Sequence, residues 1–371
     1  VKRIKILHLV STLAIGGVQK QIAEVAKRLE GDEFDNYVGT FSSGRVREFL
    51  KTADIPVAVF RRDFRFDPFL PFRVAAYLRE KKIDILHTYL FTANTWGRLG
   101  GIIARTPVIV ASERNAIPWK NCLHIFLDSV LSFPTSRIVA CSYAVKELNR
   151  KKGFIRGEKI KVIYNGVDTE KFSPGDKKKS REKLNLPQHA FIVGSLGRLH
   201  RCKGYRYLLQ AVSLLKKKYP DIYLVIVGEG EERSNLEKLT AQLDLGKRAI
   251  FSGEVAEPLP FIRSWDIGVF PSLYEGFGIS IAETMACGIP VIASRTGGIP
   301  EVVGAAGIIV ERKHPRQLAK AIEQMITSPS LRETLGKEGR ERIKSYFSLS
   351  KTVNEWANLY LSLYREKISR G

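Results

Sequence analysis

Two glutamates eight residues apart, Glu275 and Glu283, flank a glycine bend in "YEGFGISIAETMACGIPVIASRTGGIPE". Glu275 follows a short apolar run, and Gly276, Phe277 and Gly278 open what reads as a helix from Ile279. A helix N-terminus offers backbone N–H groups that favour phosphate or a sugar oxygen. Glu283 would lie about 6 Å further along the axis, at ~1.5 Å per residue. Carboxylates repel phosphate, so they suit hydroxyl donors on either side of it. Acid, anion site, acid is the order expected for a sugar–diphosphate–nucleoside. The bland alternative is a capping glutamate and a surface helix glutamate.

Two further loops have matching chemistry. In "GRLHRCKG", Arg198 and Lys203 follow a strand-like run by a few residues, and a guanidinium with an ammonium suits a diphosphate. They would equally pass for solvated bases on a turn. In "STLAIGGVQK", Gly16 and Gly17 join an apolar run to a helical pattern, which lets a ligand approach the backbone. The spacing is not G-x-G-x-x-G, so a dinucleotide site is weakly supported.

The elements that must position these loops are short apolar runs alternating with helical patterns. Runs at 4–10, 36–41, 57–60, 83–89, 107–112 and 137–142 read as strands, and 18–29 as a helix. Because the runs do not alternate in polarity, they suit parallel strands buried on both faces. The pattern restarts at 191–199, with further strands at 223–228, 249–253, 267–272, 290–294 and 307–310. This implies two doubly wound, Rossmann-like α/β halves, with ligands beyond the carboxyl ends of the strands. The stretch 165–187, rich in Pro, Gly and charge, reads as a linker with a hinge near residues 165–175. Expected domains are 1–165 and 166–346, with a helix in 347–371 packing back across the hinge.

Composition narrows the class. The 371 residues carry 60 Lys and Arg against 38 Asp and Glu, a net charge of +22, spread over both halves. Such a field favours nucleotide phosphates, anionic lipid surfaces or nucleic acid, or serves only solubility. An RNA-binding sheet is disfavoured, because basic residues interleaved with aromatics in that pattern are lacking. The beginning of the sequence reads as a buried strand, since Lys5 and His8 interrupt its apolar stretch. Four scattered cysteines without C-x-x-C argue for reduced thiols in a cytoplasmic setting and against a zinc site.

Together these segments resemble the retaining glycosyltransferases of family 4, with the GT-B fold. The E-x7-E pattern at Glu275 and Glu283, the surrounding block, "GRLHRCKG", "NGVD" at 165–168 and the Gly16-Gly17 loop carry the resemblance over nearly the whole chain. It implies two facing Rossmann-like domains with parallel sheets and an inter-domain cleft: an N-terminal acceptor domain and a C-terminal donor domain. It implies that Arg198 and Lys203 bind the donor diphosphate. Glu275 would hold the transferred sugar and Glu283 the ribose. The backbone of Gly276, Phe277, Gly278 and Ile279 would line the site, and Gly16 and Gly17 would approach it. Transfer would retain configuration and need no metal or other cofactor.

Many members carry a histidine after the strand matching 107–112, where this chain has "SERN". Glu113, with Arg114 and Asn115, is therefore expected to orient sugar or acceptor, or to be a structural loop. His87 and His124 read as structural.

The expected donor is a UDP- or GDP-sugar carrying a hexose or N-acetylhexosamine. The expected acceptor is a sugar or lipid-linked molecule in surface polysaccharide or glycolipid synthesis, and nucleic acid is not an expected partner. Rival readings are another GT-B enzyme, such as a nucleotide-sugar epimerase, and a basic nucleic-acid-binding protein. Segment 59–82 carries seven Lys or Arg against three Asp or Glu, interleaved with Phe60, Phe64, Phe66, Phe69 and Phe72. It is expected either to dock on an anionic membrane at the inner face of the cell membrane or to be a core helix with basic residues outside.

Overall fold

The computed structural model describes residues 2–14, 16–42, 44, 50, 54–62, 67–114, 122–152 and 155–369. The chain divides into two compact units, Val1–Gly166 with Leu349–Gly371, and Val167–Ser348.

The first unit holds a parallel sheet in the order β3-β2-β1-β4-β5-β6-β7. Its strands are β1 (Ile4–Val10), β2 (Phe34–Thr40), β3 (Val57–Val59), β4 (Ile85–Tyr89), β5 (Val108–Glu113), β6 (Arg137–Ala140) and β7 (Ile160–Val162). β4 and β5 are buried at every residue, as strands covered on both faces must be. The helices include α1 (Gly17–Leu29), α2 (Leu70–Glu80), α3 (Leu90–Ala104), α4 (Cys122–Ser132) and α5 (Tyr143–Lys152).

The second unit repeats the plan with β8 (Phe191–Leu196), β9 (Ile222–Val227), β10 (Ala249–Phe251), β11 (Ile267–Phe270), β12 (Val291–Ser294) and β13 (Ile308–Val310). The order β10-β9-β8-β11-β12-β13 is parallel throughout. Its helices include α6 (Lys177–Lys183), α7 (Tyr205–Leu215), α8 (Arg233–Gln242), α9 (Leu259–Ser264) and α10 (Ile279–Ala286). They continue with α11 (Ile299–Val303), α12 (Pro315–Thr327) and α13 (Pro329–Tyr346). In each sheet the order reverses at one point, between β1 and β4 and between β8 and β11. Diverging loops open a crevice at such a switch point.

One local expectation changes. The stretch read as a linker to residue 187 already contains α6, held by Arg181, which donates to Asp266 at 2.6 Å and to the Ser264 carbonyl at 3.0 Å. The last helix, α14 (Leu349–Ile368), belongs to the first unit, where Trp356, Leu359 and Tyr360 join the core around Ile6 and Val110. β7, three residues long, was not separable by pattern from its charged surroundings.

A buried polar network ties α14 to the sheet. His87 lies 2.6 Å from the Tyr360 hydroxyl, 2.7 Å from the Tyr89 hydroxyl and 2.8 Å from Ser112 Oγ. His8 lies 3.0 Å from both the Tyr89 hydroxyl and Asn36 Oδ1. His87 is thus a satisfied core histidine. Burial drives the His8 pKa down to about 4 and holds that of His87 well below the ordinary imidazole value.

Candidate functional site

At the switch point of the second sheet, the loops after β8 and β11 lie against each other. The β8 loop forms a short turn at Arg201–Lys203 and ends at Gly204, in the left-handed region at φ 68. A Cβ there would sit 2.1 Å from the Pro271 carbonyl oxygen, so only glycine allows the approach. Leu273 N–H donates to the Cys202 carbonyl at 2.7 Å, joining the two loops. A third loop, after β12, adds bonds from Gly298 N–H to the Glu275 carbonyl at 3.2 Å and from Thr296 Oγ1 to the Leu273 carbonyl at 2.9 Å.

Held between these loops, Lys203 donates to the Glu275 carboxylate in an ion pair. The side chains retain 22% and 18% of their exposure, enough to be reached and little enough to limit screening. Burial disfavours the Lys203 ammonium, but Glu275 outweighs it, and the net pKa is raised. Lys203 therefore stays cationic at neutral pH beside a fixed carboxylate.

Glu275 leads into the bend that starts α10. Gly278, the N-cap, sits at φ 94. Phe277 turns inward and packs edge-on to Phe347 at 5.5 Å, anchoring the bend. Gly276 and Gly278 are buried and Ile279 is half-buried. Glu283, one turn into α10, is half-buried too. Arg198 is placed differently from Lys203. Its side chain is 70% exposed, and its guanidinium lies 3.7 Å from Glu231, whose carboxylate is also 3.3 Å from His200. The second unit thus gathers Lys203, Glu275 and the α10 N-terminus, with Arg198 exposed on the same loop as Lys203.

In the first unit, Glu113 closes β5 and is buried. Its Oε1 accepts from Asn94 Nδ2 at 2.9 Å, and the same amide donates to the Ser112 carbonyl at 3.1 Å. Asn94 is itself oriented by Thr88 Oγ1, at 2.7 Å from its Oδ1. Sequence reasoning did not single out Asn94, because its partners lie on two other strands. Arg114 is buried, donates to Asn165 Oδ1 and lies 5.7 Å from the ring centres of Tyr89 and Trp356. Its guanidinium is engaged in holding the end of this unit together. Asn115 lies outside the described residues. Gly16 caps α1 with extended backbone, and a Cβ there would meet only the flexible end of Gln19. The local fold therefore does not itself demand glycine at 16. Gly17 begins α1.

Among the described residues, no group of three or more His, Cys, Asp or Glu could hold a metal ion. Nor is any helix among them long and apolar enough to cross a membrane.

Two Rossmann-like units in one chain, each built on a parallel sheet with one switch point, are the architecture of the GT-B class. Comparison with known proteins places the chain within it. The family described as Glycosyl transferases group 1 matches residues 176–342, and Glycosyltransferase Family 4 matches residues 15–171. A Bacillus subtilis (strain 168) protein named "Putative glycosyltransferase EpsD" is 30% identical over 317 residues, covering 80% of this chain and 82% of its own. The UDP-Gal:alpha-D-GlcNAc-diphosphoundecaprenol alpha-1,3-galactosyltransferase of Escherichia coli is 26% identical over 98% of both chains. The crystal structure of Anabaena HepE in complex with UDP-glucose superposes with a TM-score of 0.89 at 26% identity, covering 97% of this chain and all of that one. The chain belongs to the family 4 glycosyltransferases and is a glycosyltransferase.

Proposed function

We propose that the protein is a retaining hexosyltransferase that moves a hexose or N-acetylhexosamine from a UDP-sugar to a lipid-linked glycan, at the cytoplasmic face of the cell membrane, in surface polysaccharide or glycolipid assembly. The observation that carries this reading is the Lys203–Glu275 pair at the switch point of the second sheet, beside the N-terminus of α10. HepE, similar in fold and sequence, is bound to UDP-glucose in its crystal structure, which supports a uridine donor. The E. coli relative is named for a diphosphoundecaprenol-linked acceptor, which supports the lipid-linked class.

In this reading Lys203 and Arg198 neutralise the donor diphosphate, and the N–H groups of the α10 start add to that stabilisation. Glu275 accepts hydrogen bonds from hydroxyls of the transferred sugar, and Glu283 from the ribose. The acceptor hydroxyl attacks the anomeric carbon from the face that the diphosphate leaves. The bond from that carbon to the diphosphate oxygen breaks, a bond to the acceptor oxygen forms, and the acceptor proton passes to the departing oxygen. Neither glutamate is asked to be a covalent nucleophile, so the two-carboxylate scheme of glycoside hydrolases does not apply. Glu113, held by Asn94, orients the sugar or acceptor from the first unit. Gly16 and Gly17 let substrate approach the backbone there.

The test is a thermal-shift screen against UDP- and GDP-sugars, followed by transfer assays on polyprenyl-diphosphate and soluble acceptors. Anomeric NMR of the product reads the stereochemistry. Stabilisation by UDP-sugars and a retained anomer are expected. Selective stabilisation by GDP-sugars, or an inverted product, would overturn the corresponding part.

A further inference from the structure

α3 and α4 together span 26 residues and contain two formally charged side chains, Arg98 and Asp128. In a chain where 26% of residues are charged, that is a sparse stretch. Both charges are turned inward, at 1% and 6% exposure, and pair with each other. α4 is therefore built inside out. Its buried positions are Asp128, Ser129, Leu131 and Ser132, while Leu123, Phe126 and Val130 are exposed. Phe133, just past its end, is 73% exposed. On α3, Ile102 is exposed as well. A surface helix in water normally shows the opposite pattern.

One end of this face is cationic. Lys159 donates to the carbonyls of Ser132 and Phe133 at 2.9 and 2.8 Å. Its third donor goes to the Thr135 carbonyl at 3.3 Å, so Lys159 pins the end of α4, and Arg137, Arg156 and the exposed Arg105 supply the outward charge. Arg137 Nε is buried without a partner. Beside Pro134, Ile102 and Arg105 border an open cavity of ≈ 420 Å³ that also receives Lys367, with Glu366 as its acid. The Thr106 hydroxyl lining it has no partner.

We propose that the outward face of α3 and α4 docks on the anionic leaflet of a membrane, with Leu123, Phe126, Val130 and Phe133 entering the headgroup–acyl boundary and Arg105, Arg137 and Arg156 meeting lipid phosphates. This rests on the lipid-linked acceptor reading above and supplies the surface that reading lacks. Apolar burial and attraction to anionic lipid act together in such interfacial contacts. A second copy of this chain is a poorer occupant, since a two-fold contact would gather the same cationic end twice. The docking surface differs from the one expected at 59–82. There Phe60 is buried in the core against Tyr77, Phe64 and Phe66 lie outside the described residues, and Phe69 and Phe72 are exposed.

Flotation of the full chain with phosphatidylcholine vesicles, with and without phosphatidylglycerol, at low and high salt tests this. The wild type is expected to float with the anionic vesicles and to be released by salt. Phe126→Ser with Phe133→Ser, and Arg105→Glu with Arg156→Glu, are each expected to lower the bound fraction about tenfold. Leu214→Ser, an exposed site in the second unit, should not. Unchanged melting temperatures show that the folds are intact. Absence of wild-type flotation, or equal flotation of both double variants, overturns the proposal. So does a wild-type dimer in sedimentation that the Phe126/Phe133 variant dissociates. UDP-sugar transfer to a polyprenyl-diphosphate acceptor in detergent is read in parallel: transfer without flotation sinks the docking face alone, and flotation without transfer sinks the donor and acceptor reading alone.

Discussion

His87 Nδ1 lies 2.6 Å from the Tyr360 hydroxyl, joining residues 273 apart in sequence. The contact fastens the last helix of the chain to the centre of the first sheet. Removing the hydroxyl in Tyr360→Phe leaves a buried imidazole nitrogen with one partner fewer, at a cost of about 1–3 kcal/mol. Urea melts followed by tryptophan fluorescence should show that loss; an unchanged midpoint would mean that the apolar packing of α14 suffices.

The same network makes the first unit acid-sensitive. His8 has a folded pKa of about 4 against 6.5 when unfolded. Between those values the unfolded chain binds the proton and the folded chain does not. The stabilisation is complete above pH 6.5 and is lost as pH falls toward 4, about 3 kcal/mol from His8 alone. His87 shifts in the same direction. Denaturant melts at steps from pH 7 to pH 4 should show the decline starting near 6.5, above the range where ordinary carboxylates titrate.

Lys203→Ala and Glu275→Ala are each expected to lower transfer about a hundredfold, a barrier change of ~3 kcal/mol. Each also leaves a partly buried charge without its partner, costing roughly 1–3 kcal/mol of stability. The double replacement Lys203→Met with Glu275→Leu should recover stability and not activity. Melting curves and initial rates on the three variants separate the two roles, and near wild-type turnover in both single variants would sink the site.

Asn94→Ala removes the amide that holds Glu113. If Glu113 orients the sugar or acceptor, kcat should fall about tenfold, within the range seen when a positioning contact is lost. Affinity for UDP-sugar, measured by calorimetry, should stay unchanged. A parallel loss of donor affinity would show that the effect is structural.

Gly204→Ala places a Cβ 2.1 Å from the Pro271 carbonyl and forces a side-chain residue to hold φ 68. The expected cost is about 1–3 kcal/mol, together with weaker donor binding, because Lys203 is the preceding residue. A neutral melting temperature would mean that the two loops can part without loss.

The sequence by itself determined the strands and the loops that matter. Runs such as "IGVF" and "VIAS" are buried at every residue, so their character is legible without partners. Glu275, Gly278 and the α10 start were legible because bend, cap and helix are local events within ten residues. What lies between distant segments was not. The pairing of Lys203 with Glu275 spans 72 residues, that of Glu113 with Asn94 spans 19, and α14 finds its sheet across most of the chain. "CLHIFLDSVLS" shows how far the tertiary structure decides. Its pattern marks one apolar and one polar face, as for any surface helix. Only the buried Arg98, waiting on the neighbouring helix, turns Asp128 inward and leaves Phe126 outside, because a charge taken from water must meet its partner while a phenylalanine can remain at the surface.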